Sequence, residues 1–123
     1  MEFFMLKIAL IIALATAIGY RIMPVFADTA NVTSDQITQS VIVDVRTPEE
    51  YKTAHYHGAV NIPLDQIDSQ ISKIKGMKQP IIVYCRSGNR SAKAAAILKR
   101  NGIPVTNGIN QATLEKASRS KPH

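Results

Sequence analysis

The sequence predicts an α/β domain in which helices cover both faces of an open parallel sheet. Short β-branched runs at residues 41–45 and 81–84 are continuously apolar, as in strands buried on both faces. Segments with helical spacing or helix-start signals alternate with these runs, which is the pattern of a parallel sheet with crossover helices. With 123 residues, 46% of them hydrophobic, the chain has room for one such domain.

The first 27 residues have the features of a secretory signal peptide. An almost wholly apolar run over residues 8–18 follows Lys7 and leads to Val25-Phe26-Ala27, a small-x-small cleavage site. We expect cleavage after Ala27, a folded domain over residues 28–118, a frayed basic tail at 119–123, and export to the bacterial periplasm. The alternative is an uncleaved segment that anchors the domain in a membrane, although the run is shorter than the roughly 20 residues that span a bilayer.

Two capping boxes place the first helices. Thr33-Ser34-Asp35-Gln36 predicts the start of a short helix, and the strand at 41–45 follows it. Thr47-Pro48-Glu49-Glu50 is a second box with proline at the first helical position, so a helix of a turn or two should begin at Pro48. A short extended piece is expected at residues 59–63.

The second half of the chain continues the alternation. Leu64, Ile67, Ile71 and Ile74 recur at helical spacing, and Gly76 should end their helix. The strand at 81–84 leads through a turn into an alanine-rich helix at 91–100. A short strand at 103–105, a turn at Asn107-Gly108 and a final helix at 112–117 complete the prediction.

The only cysteine of the chain, Cys85, lies at the turn between the strand at 81–84 and the helix at 91–100. It cannot form an intrachain disulfide, so an exported domain would carry a free thiol. The backbone N–H groups of such a turn and the positive end of the next helix favour an anion. With Arg86 and Arg90 nearby, we expect a thiol of lowered pKa that reacts at neutral pH.

The formal net charge of +6 comes from lysines and arginines scattered along the chain. They lack the aromatic interleaving or recognition motif of nucleic-acid-binding proteins, so solvated helix faces are the expected reading. The basic residues near Cys85 differ, because they could attract a small anionic substrate. We therefore expect a monomer that binds a small anion and no nucleic acid.

Three segments together resemble a known family. They are Asp44-Val45-Arg46-Thr47-Pro48-Glu49-Glu50-Tyr51, then His55-Tyr56-His57-Gly58-Ala59-Val60-Asn61-Ile62-Pro63, then Cys85-Arg86-Ser87-Gly88-Asn89-Arg90 closed by Ser91. In this combination the chain resembles the single-domain rhodaneses, a sulfurtransferase family. It is most similar to their exported phage-shock type, which shares the signal peptide and the Cys-x-x-Gly-x-Arg loop. The implied fold is a rhodanese-like open parallel sheet with helices on both faces.

The resemblance implies that Cys85 takes the outer sulfur of a thiosulfate-like donor, carries it as a persulfide and passes it to cyanide or a thiol. No metal or organic cofactor is implied, and the membrane is not a partner once the signal peptide is removed. The expected substrate-binding and active-site loop consists of Arg86, Ser87, Gly88, Asn89 and Arg90. Gly88 would permit the tight curvature of that loop.

Two ion pairs are expected around the loop. Asp44, at a strand end, would support the loop by pairing with Arg90, which in turn would bind the oxyanion of the donor. Arg46 would pair with Glu50, one helical turn further along.

Loop length argues against a different cysteine chemistry. Cysteine phosphatases place five residues between cysteine and arginine, whereas Cys85 and Arg90 are separated by four. The radius of an anion-binding loop follows the number of amides that line it, so this loop has less room for phosphate. A second hypothesis is a persulfide carrier or thiol-switch module with little turnover of its own. A buried, inert cysteine is the third.

Other residues bear on the pocket. His55 and His57 are two positions apart without a third ligand, so hydrogen bonding is expected rather than a metal site. The chain departs from the family pattern at Ala54 and Tyr56, and a C-terminal Gly-Gly-x-x-x-Trp region is reduced to Asn107-Gly108-Ile109-Asn110. These departures leave the cysteine loop intact and affect the pocket wall.

Overall fold

The computed structural model describes residues 32–120, so the predicted signal peptide and the end of the predicted tail lie outside the described residues. The elements are α1 (Ser34–Gln39), β1 (Val41–Asp44), α2 (Pro48–Thr53), β2 (Val60–Asn61), α3 (Ile71–Gly76), β3 (Ile81–Cys85), α4 (Asn89–Arg100), β4 (Val105–Asn110) and α5 (Gln111–Arg119). Two 3₁₀ turns, Leu64–Gln66 and Asp68–Gln70, precede α3.

The strands form one sheet in the order β2-β1-β3-β4, and every neighbouring pair is parallel. The predicted parallel α/β fold is therefore confirmed. Its central strands are β1 and β3, with Asp44 opposite Tyr84 and Cys85 opposite Asn110 of β4. The carboxyl ends of these strands thus bring Asp44, Cys85 and Asn110 to one edge of the sheet.

Helices cover both faces of the sheet because successive side chains of a buried strand point to opposite sides. On β3, Ile81, Val83 and Cys85 belong to one core cluster, and Ile82 and Tyr84 belong to the other. The first cluster includes side chains of α3 and α4, and the second includes Leu114 of α5 with partly buried residues of α1 and α2. Cys85 therefore lies on the α4 side of the sheet.

Both predicted helix starts are confirmed by their caps. Thr33 accepts a hydrogen bond from the Gln36 N–H, and the Gln36 side chain accepts one from the Thr33 N–H. The Thr47 side chain accepts from the N–H of Glu50, with Pro48 at the first helical position. Local sequence was enough to place these starts, because a cap satisfies backbone donors within one turn.

The helix predicted across Leu64 to Ile74 is instead broken into two 3₁₀ turns and the short α3. The N–H of Leu64 donates to the carbonyl of Val45 at 3.0 Å, which ties the first turn to the end of β1. Gln70 then adopts a non-helical conformation with ψ near 9°. Ile67 and Ile74 are buried as their spacing indicated.

The turn predicted at Asn107-Gly108 is also wrong, because β4 continues to Asn110 and carries a bulge there. Asn107 pairs with Val83 and Ile109 pairs with Tyr84, so Gly108 is the extra residue. A Cβ on Gly108 would lie 2.8 Å from Leu114 Cδ2, so the close approach of α5 requires glycine. Asparagine followed by glycine therefore marked a bulge rather than the end of a strand.

Within residues 32–120, the helices are all too short or too polar to cross a membrane.

Candidate active site

Cys85 is the last residue of β3 and is only 2% exposed. Its Sγ accepts hydrogen bonds from the backbone N–H of Gly88 at 3.1 Å and of Ser91 at 3.4 Å. The hydroxyl of Ser91 lies 3.4 Å from the same sulfur. The turn therefore directs two N–H donors at the sulfur, as an anion-binding turn does.

The pKa of Cys85 lies below its ordinary value, as expected. Burial of the thiol is the largest influence and raises the pKa, but hydrogen bonds outweigh it. These come from the side chain of Ser91 and from the backbone N–H groups of Ser91, Gly88 and Ser87. The polar groups of the turn thus favour the thiolate, as expected from the sequence for its N–H groups.

Gly88 gives the turn its shape. It has a φ of +93° and occupies the position before α4, the twelve-residue helix whose N-terminus points at the sulfur. Its carbonyl accepts from the N–H of Ala92 at 2.9 Å and so begins the helix. A Cβ at this position would lie 3.2 Å from Cγ2 of Ile109, on the β4 bulge. Gly88 is needed both for its backbone conformation and for this contact.

Arg90 forms a bidentate ion pair with Glu50, at 2.7 Å from Nη1 to Oε1 and 3.0 Å from Nη2 to Oε2. The hydrogen bonds from Arg90 lower the pKa of Glu50 to about 2. About a third of each side chain is exposed. The predicted pairing of Arg90 with Asp44 is wrong, because Glu50 of α2 is the carboxylate that faces α4.

Asp44 pairs with Arg46 instead, at 2.7 Å from Oδ2 to Nη2, and its side chain is fully buried. It also accepts from Nε and the backbone N–H of Arg46, and from the hydroxyl of Tyr84 at 2.8 Å. The predicted pair of Arg46 with Glu50 is therefore wrong as well. The chain bends after β1, where the backbone N–H of Arg46 donates to Asp44 Oδ1, and this bend brings the two side chains together.

The Asp44–Arg46 pair connects the end of β1 to the segment after α2 and to the side chain of Tyr84. Arg46 donates to the carbonyl of Ala54 at 2.7 Å, and the Tyr84 hydroxyl accepts from the N–H of Tyr56 at 2.9 Å. Burial, ahead of the other influences, raises the pKa of Tyr84 to about 12. The chain departs from the family pattern at Ala54 and Tyr56. Both residues contact the hydrogen-bonded group formed by Asp44, Arg46 and Tyr84, and they do so through backbone atoms. Asp44 is connected to the turn by its hydrogen bond from Tyr84, the residue before Cys85.

The remaining predicted loop residues lie on the outside of the turn. Arg86, Ser87 and Asn89 are exposed. Next to the turn, a cleft of about 470 Å³ runs past Arg90 between α2 and the first 3₁₀ turn. It is lined by Val45, Thr47, Pro48, Glu49, Pro63, Leu64, Asp65, Gln66 and Arg90.

Sequence reasoning missed two residues of the site, Ser91 and Asn107. Ser91 was noted only as the residue that closes the loop, yet both its N–H and its hydroxyl contact Cys85 Sγ. Asn107 accepts a hydrogen bond from the Ser91 hydroxyl at 2.7 Å and is buried. A serine directly after the loop arginine was a readable signal, whereas nothing local linked Asn107 to the cysteine.

No group of three or more histidine, cysteine, aspartate or glutamate side chains is placed to hold a metal within residues 32–120. His55 stacks on Tyr51 with ring centroids 3.8 Å apart, and its Nδ1 lies 2.8 Å from the Tyr51 carbonyl. This is the hydrogen-bonding role expected for it. His57 is exposed.

Comparison with known proteins identifies the same family as the motifs. The model of the rhodanese-like domain matches residues 29–111. The chain is 38% identical over 61 residues to the thiosulfate sulfurtransferase PspE of Escherichia coli, and 41% identical over 61 residues to the uncharacterized protein YqhL of Bacillus subtilis. Among solved structures, a rhodanese with anions from E. coli has 32% identity and a TM-score of 0.55, over 68% of this chain and 94% of that one.

The matched segments are only part of several relatives. The aligned regions cover 49% of this chain and 59% of PspE, and 50% of this chain and 48% of YqhL. A tRNA uridine(34) hydroxylase of Cronobacter sakazakii is 31% identical over 87 residues, which is 67% of this chain but 25% of that protein. The similarity to that enzyme therefore concerns a quarter of its length.

Proposed function

The chain belongs to the rhodanese-like domain family, and from that premise we propose that it is a sulfurtransferase in which Cys85 carries the transferred sulfur as a persulfide. Thiosulfate or a similar anion is the donor, and cyanide or a thiol is the acceptor. The observation that carries the proposal is the position of Cys85 Sγ, which accepts hydrogen bonds from the N–H groups of Gly88 and Ser91 at the start of α4. These donors stabilise the Cys85 thiolate when it attacks the sulfur donor and again when it leaves the persulfide.

In the first step the Cys85 thiolate attacks the outer sulfur of thiosulfate. A bond forms between Sγ and that sulfur, the bond to the sulfonate sulfur breaks, and sulfite leaves with its electron pair. In the second step cyanide or a thiolate attacks the outer sulfur of the persulfide. The Sγ–S bond then breaks and the Cys85 thiolate is restored, so no external oxidant or reductant is consumed.

The two half-reactions place different demands on the turn. The N–H donors at Sγ lower the cost of the thiolate both as the attacking group and as the leaving group. Arg86, which is exposed at the turn, is suited to attract an anionic donor. Arg90 is already paired with Glu50, so a donor oxyanion that binds Arg90 must share or displace that carboxylate.

The proposal is tested by following thiocyanate formation from thiosulfate and cyanide. We expect the protein to catalyse this reaction and Cys85→Ser to reduce it to the uncatalysed level, because a hydroxyl cannot form the persulfide. Ser69→Ala, an exposed serine on the second 3₁₀ turn, is the matched control and should retain full activity. Activity of Cys85→Ser at the parent level would refute the mechanism.

A second candidate is a persulfide carrier that accepts sulfur but turns over slowly by itself. The near-complete burial of Cys85 favours it, because an acceptor must reach a sulfur that is only 2% exposed. Intact mass separates the two candidates. A sulfur-sized increment that forms with thiosulfate and persists with cyanide or small thiols indicates the carrier, whereas rapid loss of the increment indicates the enzyme.

Export is part of the proposal and rests on residues 1–27 of the sequence alone. We expect the mature protein recovered from a bacterial periplasm to begin at Asp28. N-terminal sequencing measures this directly, and a retained Met1 would support the anchored alternative.

A further inference from the structure

Asn107 is a buried polar residue that the proposed reaction does not use directly. It lies on the β4 bulge, and its side chain reaches across to the start of α4. Its Oδ1 accepts from the Ser91 hydroxyl at 2.7 Å and from the N–H of Ile109 at 2.9 Å. Its Nδ2 donates to the carbonyl of Gly88 at 3.3 Å.

These partners fix the orientation of the Asn107 amide. A backbone N–H can only donate and a carbonyl can only accept, so the atom shared by Ile109 and Ser91 must be the oxygen. That oxygen accepts and cannot donate. The hydroxyl of Ser91 must therefore be the donor in its 2.7 Å contact with Asn107.

The Ser91 hydroxyl has one proton and three acceptors within reach. They are Asn107 Oδ1 at 2.7 Å, the Gly88 carbonyl at 3.1 Å and Cys85 Sγ at 3.4 Å. While the proton is directed at Asn107, the lone pairs of Oγ are free to accept the S–H of Cys85. This arrangement suits the neutral thiol. A thiolate needs donors only, so the Ser91 hydroxyl can lower the pKa of Cys85 only when it turns toward the sulfur and gives up its contact with Asn107.

We propose that Asn107 is a positioning residue for Cys85, which holds the hydroxyl proton of Ser91 away from the sulfur and so restrains formation of the thiolate. The turn amides and the start of α4 act in the opposite direction. Opposing influences on the thiol pKa are useful for reactivity. The nucleophilicity of a thiolate falls as the pKa of its thiol falls, so the best attacking thiol has a pKa near the ambient pH. Asn107 would keep the sulfur nucleophilic in spite of its donors.

Within the described residues, the charged and titratable groups at this end of the sheet come from several elements on both of its faces. They are Arg86 on the turn, Arg90 on α4 with Glu50 on α2, Asp44 and Arg46 at the end of β1, and Tyr84 on β3. The sequence of β4 contains no charged residue. Replacing Asn107 by a neutral residue therefore changes no charge in the molecule. The electrostatic effect of the surrounding charged groups on the pKa of Cys85 is then the same in the parent and in the neutral variants.

The test is the titration of Cys85 in the full-length protein, followed by the ultraviolet absorbance of the thiolate and by the pH dependence of its alkylation. Because Cys85 is the only cysteine, the alkylation belongs to it, and the thiolate absorbance is read below the pH range in which the four tyrosines ionise. In Asn107→Ala the Ser91 proton is free to face the sulfur, and we expect the thiol pKa to fall by about half a unit to one unit, or about three- to tenfold in the thiolate-to-thiol ratio. In a Ser91→Ala background the same substitution should cause no shift.

A purely structural role gives the opposite sign. If Asn107 only holds the turn through Gly88, its loss should move the Gly88 N–H away from the sulfur and raise the thiol pKa. A rise, no change, or an equal fall in the Ser91→Ala background would overturn the inference. Asn101→Ala is the matched control, because Asn101 donates to Ile97 at the far end of α4 and should leave the titration unchanged.

Asn107→Asp keeps the test decisive if the alanine variant does not fold. Aspartate retains an acceptor for Ser91, so we expect the thiol pKa to rise, and to rise less in the Ser91→Ala background. An equal rise in both backgrounds would reflect charge alone and would overturn the role of the hydroxyl. The inference rests on Cys85 being the reactive sulfur, but the titration needs no sulfur transfer, so its failure is distinguishable from failure of the proposed activity.

Discussion

Replacement of Asp44 by asparagine should destabilise the protein strongly, because it leaves the guanidinium of Arg46 without its counter-ion. Asp44 is fully buried and the Arg46 side chain is only 14% exposed. The carboxylate accepts from Nε, Nη2 and the backbone N–H of Arg46 and from the Tyr84 hydroxyl. An asparagine keeps one oxygen but places an NH₂ group against the remaining donors. Removing one partner of a buried ion pair costs about 3–5 kcal/mol, and we expect a loss in that range.

Urea denaturation followed by circular dichroism measures this loss. With a slope of about 1–2 kcal/mol per molar for a domain of this size, the midpoint should fall by about 1.5 M or more. A double-mutant cycle identifies the partner. In an Arg46→Met background most of the Asp44→Asn penalty should disappear, whereas in an Arg90→Gln background the two losses should add to within about 0.5 kcal/mol.

The cycle decides between two ways of pairing the charges. The sequence suggested Asp44 with Arg90, and the structure pairs Asp44 with Arg46. If the Asp44→Asn penalty persisted in Arg46→Met and vanished in Arg90→Gln, the electrostatic reasoning for this end of the sheet would be refuted. An unchanged midpoint in Asp44→Asn itself would contradict the expected cost of an unpaired buried charge.

Two further predictions concern the turn. Glu50→Gln should cost only about 0.5–1 kcal/mol at neutral pH, because solvent screens this one-third-exposed pair, and it should lower KM for thiosulfate by freeing Arg90. Folding lowers the pKa of Glu50 from 4.5 to about 2. The stability that the Glu50 carboxylate contributes is therefore fully present above pH 4.5 and is lost as the pH falls through about 2. The free energies of unfolding of the parent and Glu50→Gln should converge as the pH is lowered through this range. A parent–variant gap that widened in acid would contradict this. Gly88→Ala should lower the free energy of unfolding by about 1–3 kcal/mol, because φ at this position is +93° and the new Cβ would lie 3.2 Å from Ile109. Gly76→Ala is the control, because its Cβ would meet open space, and it should be tolerated. Equal losses in the two alanine variants would count against the strain at Gly88.

Interactions that close within a few residues were readable from the sequence. The caps at Thr33 and Thr47 each join residues three apart, so their chemistry is visible in a short window. The β-branched runs gave the two central strands for a similar reason, since a strand buried on both faces must be apolar throughout. The position of Cys85 between a strand and a helix followed from those two predictions.

The ion pairs were not readable, because helical spacing and tertiary packing offered competing partners. Glu50 lies four residues after Arg46, a spacing that favours a pair on one helix, but Arg46 lies in the bend between β1 and α2 and not on a helix. Glu50 could be assigned to Arg90 only after α2 and α4 were placed against the same end of the sheet. The sequence separation of that pair is 40 residues.

By itself, the sequence determined the α/β class, the helix starts and the single cysteine in a glycine-containing turn, because each depends on local patterning or on residue counts. Only the tertiary structure decided what surrounds the sulfur. The bulge at Gly108 brings Asn107 to the hydroxyl of Ser91, and that approach depends on how β4 pairs with β3 and how α5 packs on both. A hydrogen bond of 2.7 Å between residues 16 positions apart has no local signature, since it arises only when the first turn of α4 packs beside β4.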